Sequence, residues 1–140
     1  MRHRNHSSRL NRTSSHRKAL LRNLAKSLIE KGKIQTTVQK AKELKKVIEP
    51  MVTLAKTDTL TNRRRVLKDL GIRFNTLSSK ESKAAKQGET SSYNVDRNVM
   101  SALFGTIGPR YKERPGGYTR IVPTAHRRGD GAPCCLLEFV

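Results

Sequence analysis

Tryptophan is absent, and only 4% of the 140 residues are aromatic. With 34% hydrophobic residues in all, the chain can bury only a small core, enough for one compact domain with tails. Cysteine is confined to the adjacent pair Cys134 and Cys135. A disulfide between neighbours is strained, and zinc needs four ligands at workable spacing, so both read as strand residues in a reducing compartment. No apolar run approaches the ~20 residues of a membrane span. The basic N-terminus lacks the apolar stretch of a secretory signal, which leaves the cytoplasm as the expected location. Acids are scarce: eleven Asp and Glu, none before Glu30 and none clustered. Scattered carboxylates do not make a metal-dependent nuclease site. A phosphate-binding loop, a dinucleotide glycine motif, zinc-finger spacing and the aromatics of an RNA-recognition sheet are missing too. Ser14, Ser15 and His16 are contiguous but lack the acid of a triad. His3 and His6 have no acid or cysteine near them and do not read as metal ligands. These absences point away from an enzyme, a cofactor, a bound metal and a small-molecule substrate.

What the chain does have is positive charge. Thirty Lys and Arg against eleven acids leave +19. Self-repulsion on that scale disfavours compaction, and a polyanion relieves it. Nucleic acid fits best, because cations on phosphates release condensed counterions. An anionic membrane would call for an amphipathic helix with large aromatics, or a lipidation motif, and neither is evident. The densest acid-free charge lies in residues 1–13, where Arg2, His3, Arg4, Arg9 and Arg12 alternate with Asn and Ser. Met1 and Leu10 are the only sizeable apolar side chains there, so this reads as an arm that orders on phosphates.

Residues 14–140 read as one domain. Ser14-Ser15 suggests a helix start, and Leu20, Leu21, Leu24, Leu28 and Ile29 give an apolar stripe that Gly32 stops. Arg17 and Lys18 sit at the positive end of that helix dipole, where cations gain little from their own helix; with Arg22 they suit an external anion. Residues 34–38 alternate as a strand. From Lys40 the period changes: Ala41, Leu44, Ile48, Met51, Val52 and Ala55 share one helix face, and Lys40, Lys42, Lys45 and Lys46 the opposite one. Pro50 predicts a kink near 47–49, or two helices with Pro50 opening the second. After a break capped by Asn62, a short helix carries Arg63-Arg64-Arg65 and ends at Gly71. Residues 72–93 are polar and read as an insertion with at most a brief helix over 79–87. Asn94 or Asp96 then caps a helix buried through Val99, Leu103 and Ile107 and stopped by Gly108-Pro109. In 110–117, Arg110, Lys112 and Arg114 surround Tyr111, a pattern suited to stacking on RNA while guanidinium groups hold phosphates. Two strands, 118–122 and 134–139, flank a loop with His126, Arg127 and Arg128, and should pair antiparallel with 34–38 joining them. The expected architecture is α+β and two-layer, a small three-stranded sheet with helices on one face, in the order α-β-α-α-α-β-β.

Several of these stretches carry a family resemblance. Ile34-x-Thr36-Thr37-x-x-Lys40-Ala41-Lys42 and Glu49-Pro50-Met51-Val52-Thr53-Leu54-Ala55-Lys56 resemble the family of the seventeenth protein of the bacterial large ribosomal subunit. Leu10-Asn11-Arg12-x-Ser14-Ser15-His16-Arg17, Gly108-Pro109-Arg110, Gly116-Gly117-Tyr118-Thr119-Arg120-Ile121 and Arg128-Gly129-Asp130-Gly131-Ala132-Pro133 match it in the same order. The likeness covers about 1–71 and 94–140; residues 72–93 are longer than in compact members. It implies a non-catalytic α+β protein assembled on 23S-type rRNA near the polypeptide exit region, beside neighbouring large-subunit proteins. The residues expected on RNA are Arg2, His3, Arg4, Arg9, Arg12, Ser14, His16, Arg17, Lys18, Arg22, Lys40, Lys42, Arg63, Arg64, Arg110, Tyr111, Arg114, Arg120, Arg127 and Arg128. The rival reading is a non-ribosomal architectural nucleic-acid-binding protein, which would want a repeated or dimeric duplex-binding element that the sequence does not show.

Overall fold

Ala41, Leu44, Ile48, Met51, Val52 and Ala55 are all buried along α2 (Val38–Ala55), the stripe that their spacing predicts. In this computed structural model, which describes residues 8–140, the rest of the core gathers on that stripe. α1 (Ser14–Lys31) packs on it through Ala25, Leu28 and Ile29. Gly32 ends α1 at φ 74°, its N–H donating to Leu28 O at 2.8 Å, a left-handed cap that a Cβ would strain. β1 (Lys33–Thr37) follows, and the chain enters α2 at Val38, one residue before the expected strand end. With β2 (Thr119–Pro123) and β3 (Cys134–Phe139) it makes an antiparallel sheet in the order β1-β3-β2. The register puts Ile34 and Ile121 on either side of Leu137, and Thr36 beside Cys135. Leu137 and Cys135 are buried on the face that meets α2. Arg120 and Glu138 pair on the other face, Nε to Oε1 at 2.6 Å. The fold is α+β with helices on one face of a small sheet, as expected.

Four local expectations are corrected. Of the two readings of Pro50, two separate helices are ruled out: α2 runs unbroken through it, and the proline removes one backbone donor on an exposed side while the buried stripe continues on both flanks. α3 (Leu60–Leu70) is capped by Thr59, whose Oγ1 accepts from Asn62 N at 3.2 Å. Asn62 instead reaches back with Nδ2 to Leu54 O, Thr57 O and Thr57 Oγ1 (3.1, 2.9 and 2.7 Å), tying α3 to the end of α2. At α1 the residue before the first turn is Thr13, and no side chain caps it. Gly108-Pro109 does not stop its helix. α5 (Val95–Ala102) widens into a π-helical turn (Leu103–Ile107) and continues as α6 (Gly108–Arg110). Pro109 falls in the first turn of α6, where a missing N–H is tolerated. The turn buries Leu103, Phe104 and Ile107 together.

Between α3 and α5, the short α4 (Ser79–Lys86) starts at a Ser78–Glu81 capping box and buries none of its residues. Its segment is held at the base rather than packed. Asn94 caps α5, accepting from Arg97 N at 3.0 Å, which leaves Asp96 for other work. Asp96 accepts from Lys26 Nζ at 2.6 Å and from Arg73 N at 2.7 Å, joining α1, α5 and the segment after α3. Burial raises the Asp96 carboxyl, but the Arg73 N–H and Lys26 outweigh it and hold the group below the ordinary aspartate range. A depressed carboxylate contributes stability above its unfolded pKa and loses it as pH falls. Asp96→Asn is therefore expected to cost about 1–3 kcal/mol at pH 7. The gap from the unsubstituted chain should close in acid, which urea unfolding at neutral and acidic pH will measure.

Candidate nucleic-acid interface

The outer side of α2 is a cationic furrow. Where it faces β2, an open cavity of about 990 Å³ is lined by Lys42, Lys45, Lys46 and Arg65 over a floor of Pro50, Leu54, Tyr118 and Ile121. Where it faces α1 and α3, a second cavity of about 510 Å³ is lined by Lys18, Arg22, Lys46, Arg65 and Lys68. The two share Lys46, Pro50, Leu54 and Arg65, so they form one track along the helix. Its acids are Glu43, Glu49 and Asp69. Glu43 and Glu49 pair with Lys46 and Lys45 from within α2. Burial raises the Glu43 carboxyl, but Lys46, the Ser8 N–H and nearby Arg17 prevail and keep it below the ordinary glutamate range. One acid thus holds the base of the arm against α2 while cations dominate the track around it. A third cleft, about 600 Å³ beside β1, brings Lys40 together with His126 and Arg127.

The residues expected on RNA fall into two groups. Arg9, Lys18, Lys40, Lys42, Arg64 and Arg128 form no ion pair among the described residues. Arg17 is half-buried next to Glu43, and Ser14 is exposed at the start of α1. Arg12 Nη1 donates to His16 Nε2 at 2.7 Å, so the two act as one unit at the arm junction. Arg9 to Arg12 closes as a turn, with Arg12 N donating to Arg9 O at 3.1 Å and positive φ at Leu10 and Asn11, the sign pattern of a type I′ turn. Arg2, His3 and Arg4 lie outside the described residues.

The second group is already committed to protein. Arg22 caps the C-terminal end of α3, Nε donating to Asp69 O at 2.8 Å and Nη2 to Lys68 O at 3.2 Å. Arg63 is bidentate on Asp58, with Nη2 2.6 Å from Oδ2, and lies over the Phe104 ring. Arg110 Nη2 donates to Val140 O at 2.9 Å, and Arg114 Nε to Gly116 O at 3.2 Å. Arg120 pairs with Glu138, as described above. Arg127 Nε donates to Asp130 Oδ1 at 2.9 Å. That guanidinium, with the Ala132 N–H, brings the Asp130 carboxyl down to about 2. The clasp closes the 127–132 turn and leaves Arg128 exposed at its tip. Tyr111 is corrected outright. Its ring is only 3% exposed, packed against Tyr118 and Phe139, and its hydroxyl donates to Val140 O at 2.6 Å. It is a core residue and offers no stacking face. Arg65 belongs to the basic run 63–65, and Lys45 and Lys46 to the basic face of α2; Lys68 was not singled out for RNA. Its signal was positional: Arg65 and Lys68 are three apart on α3 and face the lysines of α2.

Among the described residues, no helix is long and apolar enough to cross a membrane, and no group of three or more His, Cys, Asp or Glu could hold a metal ion. The sequence profile of ribosomal protein L17 matches residues 20–140. The chain belongs to the ribosomal protein L17 family. It is 50% identical to the large ribosomal subunit protein bL17 of Protochlamydia amoebophila (strain UWE25), over all of this chain and 99% of that one. Proteins of the same name from Chlamydia pneumoniae and Chlamydia caviae are 48% and 46% identical over the same shares. The likeness covers the whole chain, the arm and residues 72–93 included. The L17 family is one of ribosomal structural proteins, not enzymes, which agrees with the chemistry missing from the sequence.

Proposed function

We propose that this protein is a structural constituent of the large ribosomal subunit in the cytoplasm. It binds 23S-type rRNA and supports assembly of the subunit beside neighbouring ribosomal proteins near the polypeptide exit region. Residues 1–13 act as the basic arm and residues 14–140 as the body, with 72–93 as an insertion. The observation that carries the reading is the α2 furrow: an open track of cations running from Lys18 on α1 to the face of α2 beside β2, with two of its three acids already neutralised from within α2. Such a track follows a phosphate backbone by shape and charge, while the core under α2 keeps it rigid. Lys40 and the exposed Arg128 extend contact past the sheet edge.

Co-sedimentation with large subunits through a high-salt gradient tests this reading, and loss of the protein at moderate salt would count against it. The furrow itself is tested by the double substitution Lys42→Ala and Arg65→Ala. It should flatten the dependence of log affinity for rRNA on log salt by about 1.4–1.8. Equal affinity for duplex DNA at matched salt would favour an architectural protein instead.

A further inference from the structure

The chain has three Tyr and three Phe, and among these six rings only Phe74 is exposed, at 46%. A lone exposed apolar side chain needs no explanation; the setting of this one does. The backbone on both sides of it is tied down. Arg73 N donates to Asp96 Oδ2 at 2.7 Å, and Arg73 O accepts from Asn94 Nδ2 at 2.8 Å. Asn75 O accepts from Arg97 Nη2 at 2.8 Å, and Asn75 Oδ1 from Arg97 Nε at 2.9 Å. The Arg97 guanidinium, fixed by those two bonds, lies 4.9 Å from the centre of the Phe74 ring and 5.4 Å from that of Tyr93. Arg97 thus serves both rings, of which Tyr93 is half-buried and Phe74 is left open to solvent.

We infer that Phe74 is a stacking platform for an unpaired rRNA base, with the exposed Arg73 beside it for the adjacent phosphate. This rests on the rRNA reading above and assigns a role to the insertion. Unpaired bases are taken up on aromatic rings and guanidinium planes, and a base on the exposed Phe74 ring adds to the aromatic–guanidinium cluster already there. The ring is held before the base arrives, so little freedom is lost on binding. A protein neighbour would need a wider apolar patch than one ring flanked by cations. Arg73 forms no ion pair among the described residues, and the chain as a whole is at +19.

The test uses the full-length protein and a large-subunit rRNA transcript, with affinity read at several salt concentrations. Phe74→Ala should bind roughly tenfold more weakly with an unchanged salt slope, since a ring and not a charge is lost. Phe74→Trp should bind as well as the unsubstituted chain, and Phe74→Leu should stay weak. Phe74 replaced by p-benzoylphenylalanine should crosslink to rRNA in assembled subunits. Unchanged affinity in Phe74→Ala, full recovery in Phe74→Leu, or a crosslink to a ribosomal protein overturns the platform and leaves the rRNA reading standing. An unsubstituted chain that does not bind the transcript overturns both.

Discussion

Deletion of residues 2–12 will lower affinity for large-subunit rRNA by roughly two to three orders of magnitude near physiological salt. The reason is arithmetic on charge. The segment contains Arg2, Arg4, Arg9 and Arg12, and no acid lies within it or for many residues after it. Four guanidinium groups on four phosphates contribute about 0.7–0.9 each to the slope of log affinity against log salt, so the deletion should flatten that slope by about 2.8–3.6. The body should keep its fold. Of the deleted residues within the described part of the chain, none belongs to the buried core, and α1 begins only at Ser14. Among the described residues, what the deletion removes from the body is the Ser8 N–H on the largely covered Glu43 and the exposed Arg12–His16 bond. Melting should therefore shift by no more than a few degrees while co-sedimentation with large subunits fails. Normal incorporation of the truncated chain, or an unchanged salt slope, would show that the arm is a solvated tail and that the α2 furrow carries the binding alone.

The contrast between arm and body also explains what the sequence could reveal. The α2 stripe was legible because burial of one helix face imposes its period directly on the residue order, and all six residues at those spacings are buried. The sheet followed from alternation and from the single loop joining its last two strands. Misreadings arose where a partner far along the chain decides the outcome. Tyr111 looks like an RNA contact among Arg110, Lys112 and Arg114, yet Val140 returns to accept from its hydroxyl and Tyr118 and Phe139 cover its ring. Arg22 looks free on α1, yet the end of α3 takes its guanidinium. Local charge density showed which surfaces are cationic but not which cations already have an oxygen to bind. Phe74 shows the converse: nothing local marks it within a polar segment, and only the ties from Arg97, Asp96 and Asn94 to its two neighbours show that it is held in place.

Gly108→Ala should lower stability by about 2–4 kcal/mol, a fall of roughly 5–15 °C in Tm, although alanine is the better helix former. Gly108 has φ −54° and ψ −54°, ordinary helical backbone, so conformational freedom is not why glycine stands there. Space is. A Cβ at this position would sit 2.3 Å from the Ala55 carbonyl oxygen and 2.8 Å from its carbon. Those are backbone atoms at the end of α2 and cannot rotate aside, so α6 must move away as a unit. The preceding turn holds Leu103, Phe104 and Ile107 in the core, and the next residues carry Tyr111 to Val140, so the displacement loosens two sides of the molecule at once. The propensity gain of about 1 kcal/mol opposes this and sets the lower end of the range. Gly105→Ala is the matched control. It lies in the same helical run with nothing within 4 Å of the added carbon, so it should be neutral or slightly stabilising. Thermal unfolding of the pair separates the two effects: a drop confined to Gly108→Ala assigns the cost to the approach of α6 to α2, whereas equal shifts would assign it to the π-helical turn, which contains Gly105 and ends just before Gly108.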